Sequence, residues 1–136
     1  MSLSQGIHHL GLTVPDVKAA SEFFIDGLGF KQVKEVSAYP AIFVSDGVIM
    51  LTLWQAENPE HAIDFNRKTN IGLHHFALRL AESVELTELH EQLSKRDDVT
   101  IEFAPEALGQ SGLQHMMCRI PSNIRLEVNQ ALKDFI

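Results

Sequence analysis

Residues 6 to 14 read GIHHLGLTV, and residues 72 to 80 read GLHHFALRL. Under a shift of 66, Gly6, His8, His9 and Leu12 meet Gly72, His74, His75 and Leu78. Ile7/Leu73, Leu10/Phe76 and Val14/Leu80 are apolar exchanges in the same register. A repeat of this length implies two copies of one supersecondary unit. Such a duplication predicts that chemistry-bearing side chains occur in pairs related by a pseudo-symmetry axis.

Alternation assigns faces within the first copy. Leu10, Leu12 and Val14 point one way, and His9, Gly11 and Thr13 the other. Asp16 is placed to cap a helix over 17–26, with Val17, Ala20, Phe23 and Phe24 on its apolar side. Gly27 and Gly29 end that helix. Strands are predicted over 30–36, 40–45 and 48–54, with an Asp46-Gly47 hairpin. Val48, Met50, Thr52 and Trp54 share one face of the last strand; Ile49, Leu51 and Leu53 share the other. Residues 55–71 are polar and turn-rich, and read as a linker with a short helix near 61–66. The second half repeats the plan. A strand over 73–80 is followed by a helix capped at Ser83, with Val84, Leu86, Leu89 and Leu93 on its apolar face. Strands follow over 99–103, 113–120 and 124–130. Pro121-Ser122-Asn123 forms the last turn, where Asn123 suits a left-handed conformation.

The expected architecture is therefore α+β, with two tandem βαβββ modules over about 6–54 and 72–130. They should form an open curved sheet around a cavity, within a single domain of 136 residues. The formal charge of −7 argues against a nucleic-acid backbone as partner. No apolar run approaches the roughly 20 residues of a membrane span. The N-terminal MSLSQG lacks a basic region followed by a long apolar stretch, so no secretory signal is expected. One cysteine, Cys118, excludes an internal disulfide framework and fits a reducing, cytoplasmic compartment. Strand parity puts it on the core face as an inert thiol. The acidic stretch from Glu82 to Glu91 reads as a solvated helix face.

The candidate chemistry lies on the polar faces. SNIRLEV (122–128) aligns with GVIMLTL (47–53), which places Glu127 where the first half has Thr52. Arg125, Glu127 and Asn129 share a face. If the halves pack by pseudo-symmetry, His9, His75, Glu127 and the Thr52 position converge. Two imidazoles and one carboxylate form a facial triad with open positions, suited to Fe(II) or another divalent first-row ion. A partly exposed sheet face that binds no metal is the competing account. His115 shares parity with Met117, and is either an acid/base group or a strand-surface histidine. Met50, Trp54, Phe43 and Met117 either wall an apolar substrate pocket or pack at a dimer interface. Arg79 and Arg125 either grip a substrate carboxylate or form structural ion pairs with Glu127 or another acid. His8 and His74 point away from the site by parity.

These residues carry a resemblance. IHHLGLTVPD (7–16), FFIDGLGF (23–30), GLHHFAL (72–78) and PSNIRLEV (121–128) resemble the vicinal oxygen chelate superfamily. That family includes glyoxalases, extradiol dioxygenases, methylmalonyl-CoA epimerase, fosfomycin-inactivating thiol transferases and bleomycin-resistance proteins. The final motif departs from the family's Asp-Pro-Asp-Gly turn; only Pro121 is kept, and Asn123 replaces glycine. The resemblance implies His9 and His75 as ligands of a divalent ion (Fe, Mn, Ni, Zn or Co), with Glu127 as the third. Glyoxalases and epimerases of the family add a Glu or Gln on the fourth strand, where this chain has Thr52 or, in a shifted register, Met50. The implied function is a metal-dependent enzyme on a small oxygenated molecule, either a glyoxalase-like lyase or isomerase or a dioxygenase. The alternatives are a resistance-type protein that sequesters an antibiotic, or a thiol transferase of the fosfomycin-resistance type. In this last reading Arg79, Arg125 and Lys31 are the available phosphonate-binding cations. Homodimers are common in the family, and strand 48–54 or the linker is the expected contact.

Overall fold

The computed structural model describes residues 1–132. Two compact units divide the chain between Ile63 and Asp64, inside the predicted linker. The first contains β1 (His9–Val14), α1 (Val17–Glu22), β2 (Lys31–Val36), β3 (Ala41–Ser45) and β4 (Met50–Gln55). The second contains β5 (Phe76–Arg79), α2 (Leu86–Ser94), β6 (Thr100–Ala107), β7 (Leu113–Ile120) and β8 (Ile124–Ala131). Each unit is thus a βαβββ module with its own four-stranded sheet, in the orders β1-β4-β3-β2 and β5-β8-β7-β6.

In both modules the first strand pairs in parallel with the last, and the remaining pairs are antiparallel. A parallel neighbour requires a long crossover, and here the helix and the two intervening strands supply it. α1 packs on β3 and β4, with Val17, Ala20, Phe23 and Phe24 buried against Val44, Leu51 and Leu53. α2 packs on β6, β7 and β8, burying Leu86, Leu89 and Leu93 with Met116, Cys118, Leu126 and Val128. The alternation read from the sequence matches these buried faces. Leu12 and Val14 are buried, whereas His9, Gly11 and Thr13 are exposed.

Asp16 caps α1 as expected, accepting from the Lys18 and Ala19 backbone N–H groups at 3.0 and 3.1 Å. Ser83 does not cap α2. The helix starts at Leu86, two residues later than the predicted start, and the Glu85 side chain makes no capping bond. The Leu86 N–H is met instead by Gln130 Oε1 at 3.3 Å. Gln130 Nε2 donates back to the carbonyls of Ala81 and Val84 at 3.2 and 2.5 Å. Gln55 repeats this arrangement in the first module. Its Oε1 accepts from the Val17 N–H at 3.1 Å, and its Nε2 donates to the Pro15 carbonyl. Each glutamine stands three residues after the site position of its strand, Thr52 or Glu127.

Other boundaries moved for local reasons. The helix over 17–26 is α-helical only to Glu22, then widens into a π-turn over Phe23–Gly27. The expected turn of helix near 61–66 is a 3-10 turn at Pro59–His61, because Pro59 sets the first helical φ. β6 continues to Ala107 through two register shifts around Phe103, and Pro105 is tolerated because β6 is an edge strand. Both histidine pairs begin ahead of regular pairing: β1 starts at His9 and β5 only at Phe76. Gly6 and Gly72, which precede the pairs, have φ of 113° and 132°, which explains why glycine recurs there.

Two outcomes follow. Leu126 is fully buried between α2 and the sheet, so Leu126→Ala should cost about 2–5 kcal/mol in urea-induced unfolding. The Cys118 thiol is pushed up to about 12, chiefly by desolvation and secondarily by the Glu102 charge. At pH 8 its thiolate fraction is therefore roughly 10⁻⁴. A disulfide reagent should label Cys118 in the unfolded chain and leave it unmodified over the same period in the native one.

Candidate metal and substrate face

The polar face of the second sheet carries a dense set of functional groups. Pairing puts Glu127 between Ala77 on β5 and Met117 on β7, and Asn129 between Arg79 and His115. Arg125 stands opposite Arg119. Glu127 is buried, and both of its oxygens are engaged. Oε2 accepts from Asn129 Nδ2 at 3.1 Å. Oε1 lies 3.3 Å from His115 Nδ1 and 3.7 Å from His75 Nε2. His115 is buried against Phe103, with ring centroids 4.9 Å apart, and its Nε2 lies 3.9 Å from Glu106 Oε1. Despite its nearness to Glu127, His115 Nδ1 makes no hydrogen bond.

The paired histidines meet through their Nδ1 atoms. His74 Nδ1 and His75 Nδ1 are 2.7 Å apart, so one carries hydrogen and the other a lone pair. Arg125 Nη1 also approaches His74 Nδ1, at 3.5 Å. A guanidinium only donates, so His74 Nδ1 is the acceptor in its contact with Arg125. In the neutral tautomer in which His75 Nδ1 donates to His74, His75 Nε2 would carry the lone pair. Partial desolvation lowers the His74 pKa, as do the positive charges of Arg125, His75 and Arg67, against an opposing effect from Glu102. A neutral His74 suits the acceptor role. The parity argument that turned His74 away from Arg125 does not apply, since this residue precedes the strand.

His75 Nε2 and Glu127 Oε1 face each other at a distance too long for a hydrogen bond, and in that tautomer both would present lone pairs. A cation between them would relieve the repulsion. Nitrogen and oxygen ligands at ~2.1 Å each from a first-row ion span distances of this order. The pair therefore fits as part of a metal's ligand set. Among the described residues, no group of three or more His, Cys, Asp or Glu side chains is drawn together as a complete cage.

The polar face of the first sheet differs in character. β1 and β4 align His9 with Met50, Gly11 with Thr52 and Thr13 with Trp54. His9 Nδ1 contacts His8 Nδ1 at 2.9 Å, repeating the pairing of the second module. Thr52 is buried; its hydroxyl accepts from Trp54 Nε1 at 2.9 Å and reaches the Leu10 carbonyl at 3.5 Å. A Cβ on Gly11 would stand 3.1 Å from Thr52 Oγ1 and 3.5 Å from Trp54 Nε1, so glycine gives both groups their room. Trp54 packs edge-on against Tyr39 and Phe43, at centroid distances of 5.2 and 5.5 Å.

The two arginines singled out in the sequence occupy different surroundings. Arg125 Nε donates to Glu102 Oε2 at 2.7 Å, and Arg67 Nη1 to Glu102 Oε1 at 3.3 Å. Arg79 lines a separate cavity of about 480 Å³ with Leu113 and Gln130. Sequence reasoning missed Glu102 and Glu106, because the register shifts in β6 break the alternation that assigns faces. It also missed Gln55 and Gln130, although the alignment of Thr52 with Glu127 brings them into step.

Comparison with known proteins agrees with this architecture. A candidate glyoxalase from Bacillus halodurans superposes with a TM-score of 0.74 at 25% identity, over 93% of this chain and 96% of that one. Lactoylglutathione lyase from Agrobacterium tumefaciens gives 0.70 at 20% identity, over 95% and 96%. The genomically encoded fosfomycin resistance protein of Listeria monocytogenes gives 0.71 at 14% identity, over 96% of each chain. The last two likenesses establish the fold alone. No curated protein matches the sequence. The family model of the glyoxalase/bleomycin resistance protein/dioxygenase superfamily matches residues 6–128, nearly the whole chain, and the protein belongs to that superfamily.

Proposed function

We propose that the protein is a metal-dependent enzyme acting on a small oxygenated molecule. His75 and Glu127 would hold a divalent ion such as Fe, Mn, Ni, Zn or Co. The observation that carries this reading is His75 Nε2 facing the Glu127 carboxylate at 3.7 Å with no hydrogen bond between them. When bound, the ion would act as a Lewis acid on adjacent substrate oxygens.

The chain's own residues would do the rest. His74 would accept the His75 Nδ1 proton and so orient the second ring nitrogen for coordination, a role of the kind that outer-shell partners play at metal sites. His8 stands in the same relation to His9. Asn129 holds Glu127 by its second oxygen, which limits rotation of the carboxylate. His115 has a buried ring nitrogen with no hydrogen-bond partner, beside Glu127, and is placed to take or return a substrate proton. Thr52 has no carboxylate or amide, and its hydroxyl is engaged by Trp54, so it is unsuited as a metal ligand. Coordination positions not taken by protein side chains would accept a substrate that binds through two oxygens. Met117, beside Glu127 on the neighbouring strand, would supply apolar contact to it. The enzyme would work as a homodimer within one structural domain in the cytoplasm. No helix among the described residues is long and apolar enough to cross a membrane.

A ligand-sequestering protein is the second reading, favoured by the Tyr39–Trp54–Phe43 aromatic cluster. The two separate in one experiment. Protein purified without chelator should contain about one equivalent of a first-row metal per chain by elemental analysis. His75→Ala and Glu127→Gln should each lower metal affinity by at least about 100-fold, and His74→Ala by about 10–100-fold. Metal-free native protein whose ligand affinity is unchanged in His75→Ala would sink the enzyme reading.

A further inference from the structure

A cavity of about 300 Å³ opens within the second unit, where residues 65–68 of the linker segment meet the end of β7 and the start of β8. Arg67, Lys68, Arg119 and Arg125 line it together with Asn123. Four cations around one small space stand out in a chain whose net charge is −7. Glu102 accounts for two of them, since its two oxygens pair with Arg67 and Arg125. It makes no such pair with the other two. Arg119 Nε is buried and has no hydrogen-bond partner. A guanidinium N–H cannot act as an acceptor, so this group lacks an oxygen to donate to. Arg119 also stands directly across from Arg125 on the neighbouring strand, an arrangement of like charges that costs stability when nothing lies between them.

We propose that this cavity is a binding site for a small oxyanion, a phosphoryl or carboxylate group. Such a group would accept from Arg119 Nε, screen Arg119 from Arg125, and draw Lys68 in as a further point charge. Arginine suits the task because its planar fork matches the oxygen spacing of both groups. A wholly structural cluster explains the pairs to Glu102. It does not explain why the buried Nε of Arg119 lacks an acceptor beside Arg125. Arg125 lies two residues before Glu127 on the same face of β8, roughly 7 Å along the strand. On the reading that Glu127 holds a metal, the substrate would therefore carry an anionic group at about that distance from its metal-bound oxygens.

The site is tested with inorganic phosphate and with acetate, each titrated into the full chain at low ionic strength. Binding is followed by ¹⁵N-resolved NMR, on protein as purified and again after chelator treatment. The expected result is saturable binding below about 10 mM of at least one anion, in both preparations. Shifts should concentrate at the Arg119 side chain and the amides of residues 66–68 and 123. Stronger binding of phosphate would identify a phosphoryl site, and of acetate a carboxylate site; either supports the proposal. Arg119→Gln should weaken binding about tenfold or more, whereas Lys18→Gln on α1 should leave it unchanged. The proposal fails if neither anion saturates, if the shifts map elsewhere, or if Lys18→Gln weakens binding as much as Arg119→Gln. Binding that survives chelator treatment belongs to the cations, whereas loss of binding with the metal would place the anion on the metal instead and overturn this site. The wild-type shift map decides the matter even if Arg119→Gln does not fold.

Discussion

Each module depends on one glutamine at the end of its last strand. Gln55 and Gln130 both accept from the first free N–H of a helix and donate to carbonyls of the chain that leads into it. The bonds tie three parts together: the final strand, the crossover helix, and the exit from the first strand. The parallel pairing of first and last strands brings these parts into reach. It also places position 52 or 127 at the middle of the sheet's polar face. A buried helix start with unpaired N–H groups is costly, so the amide both stabilises the module and sets where the helix begins.

The electrostatics of the second module build on that frame. Glu102 pairs through its two oxygens with Arg67 and Arg125, and Arg125 Nη1 also approaches His74. His74 Nδ1 in turn lies 2.7 Å from His75 Nδ1, and His75 turns Nε2 toward Glu127. The first module, residues 1–63, contains no arginine to approach the equivalent histidine pair, and its polar face is aromatic. Duplication kept the scaffold while the two faces diverged. The change from Thr52 to Glu127 is the clearest mark of that divergence. Thr52 became a hydrogen-bonded floor for Trp54, and Glu127 the acidic centre of the opposite copy.

Much of this was legible in the sequence. The repeated strand, the alternation around Leu12, Val14 and Leu126, and the Asp16 cap are local features, each dictated by short-range geometry. They were enough to predict two βαβββ modules and the burial of Cys118. The pairing of His8 with His9 and of His74 with His75 was not, because strand parity was assumed to reach back to residues that precede regular pairing.

The sequence by itself determined the duplicated fold, the superfamily and the candidates His9, His75 and Glu127 for the site. Periodicity and motif spacing are properties of the chain alone. Only the tertiary structure decided which groups those candidates meet. Glu102 reaches Arg125 across two register shifts, Gln130 reaches the start of α2 over 44 residues, and Arg119 comes to lie beside Arg125. Such contacts depend on strand register and on bulges, which the packing of the whole module sets and which no local pattern encodes.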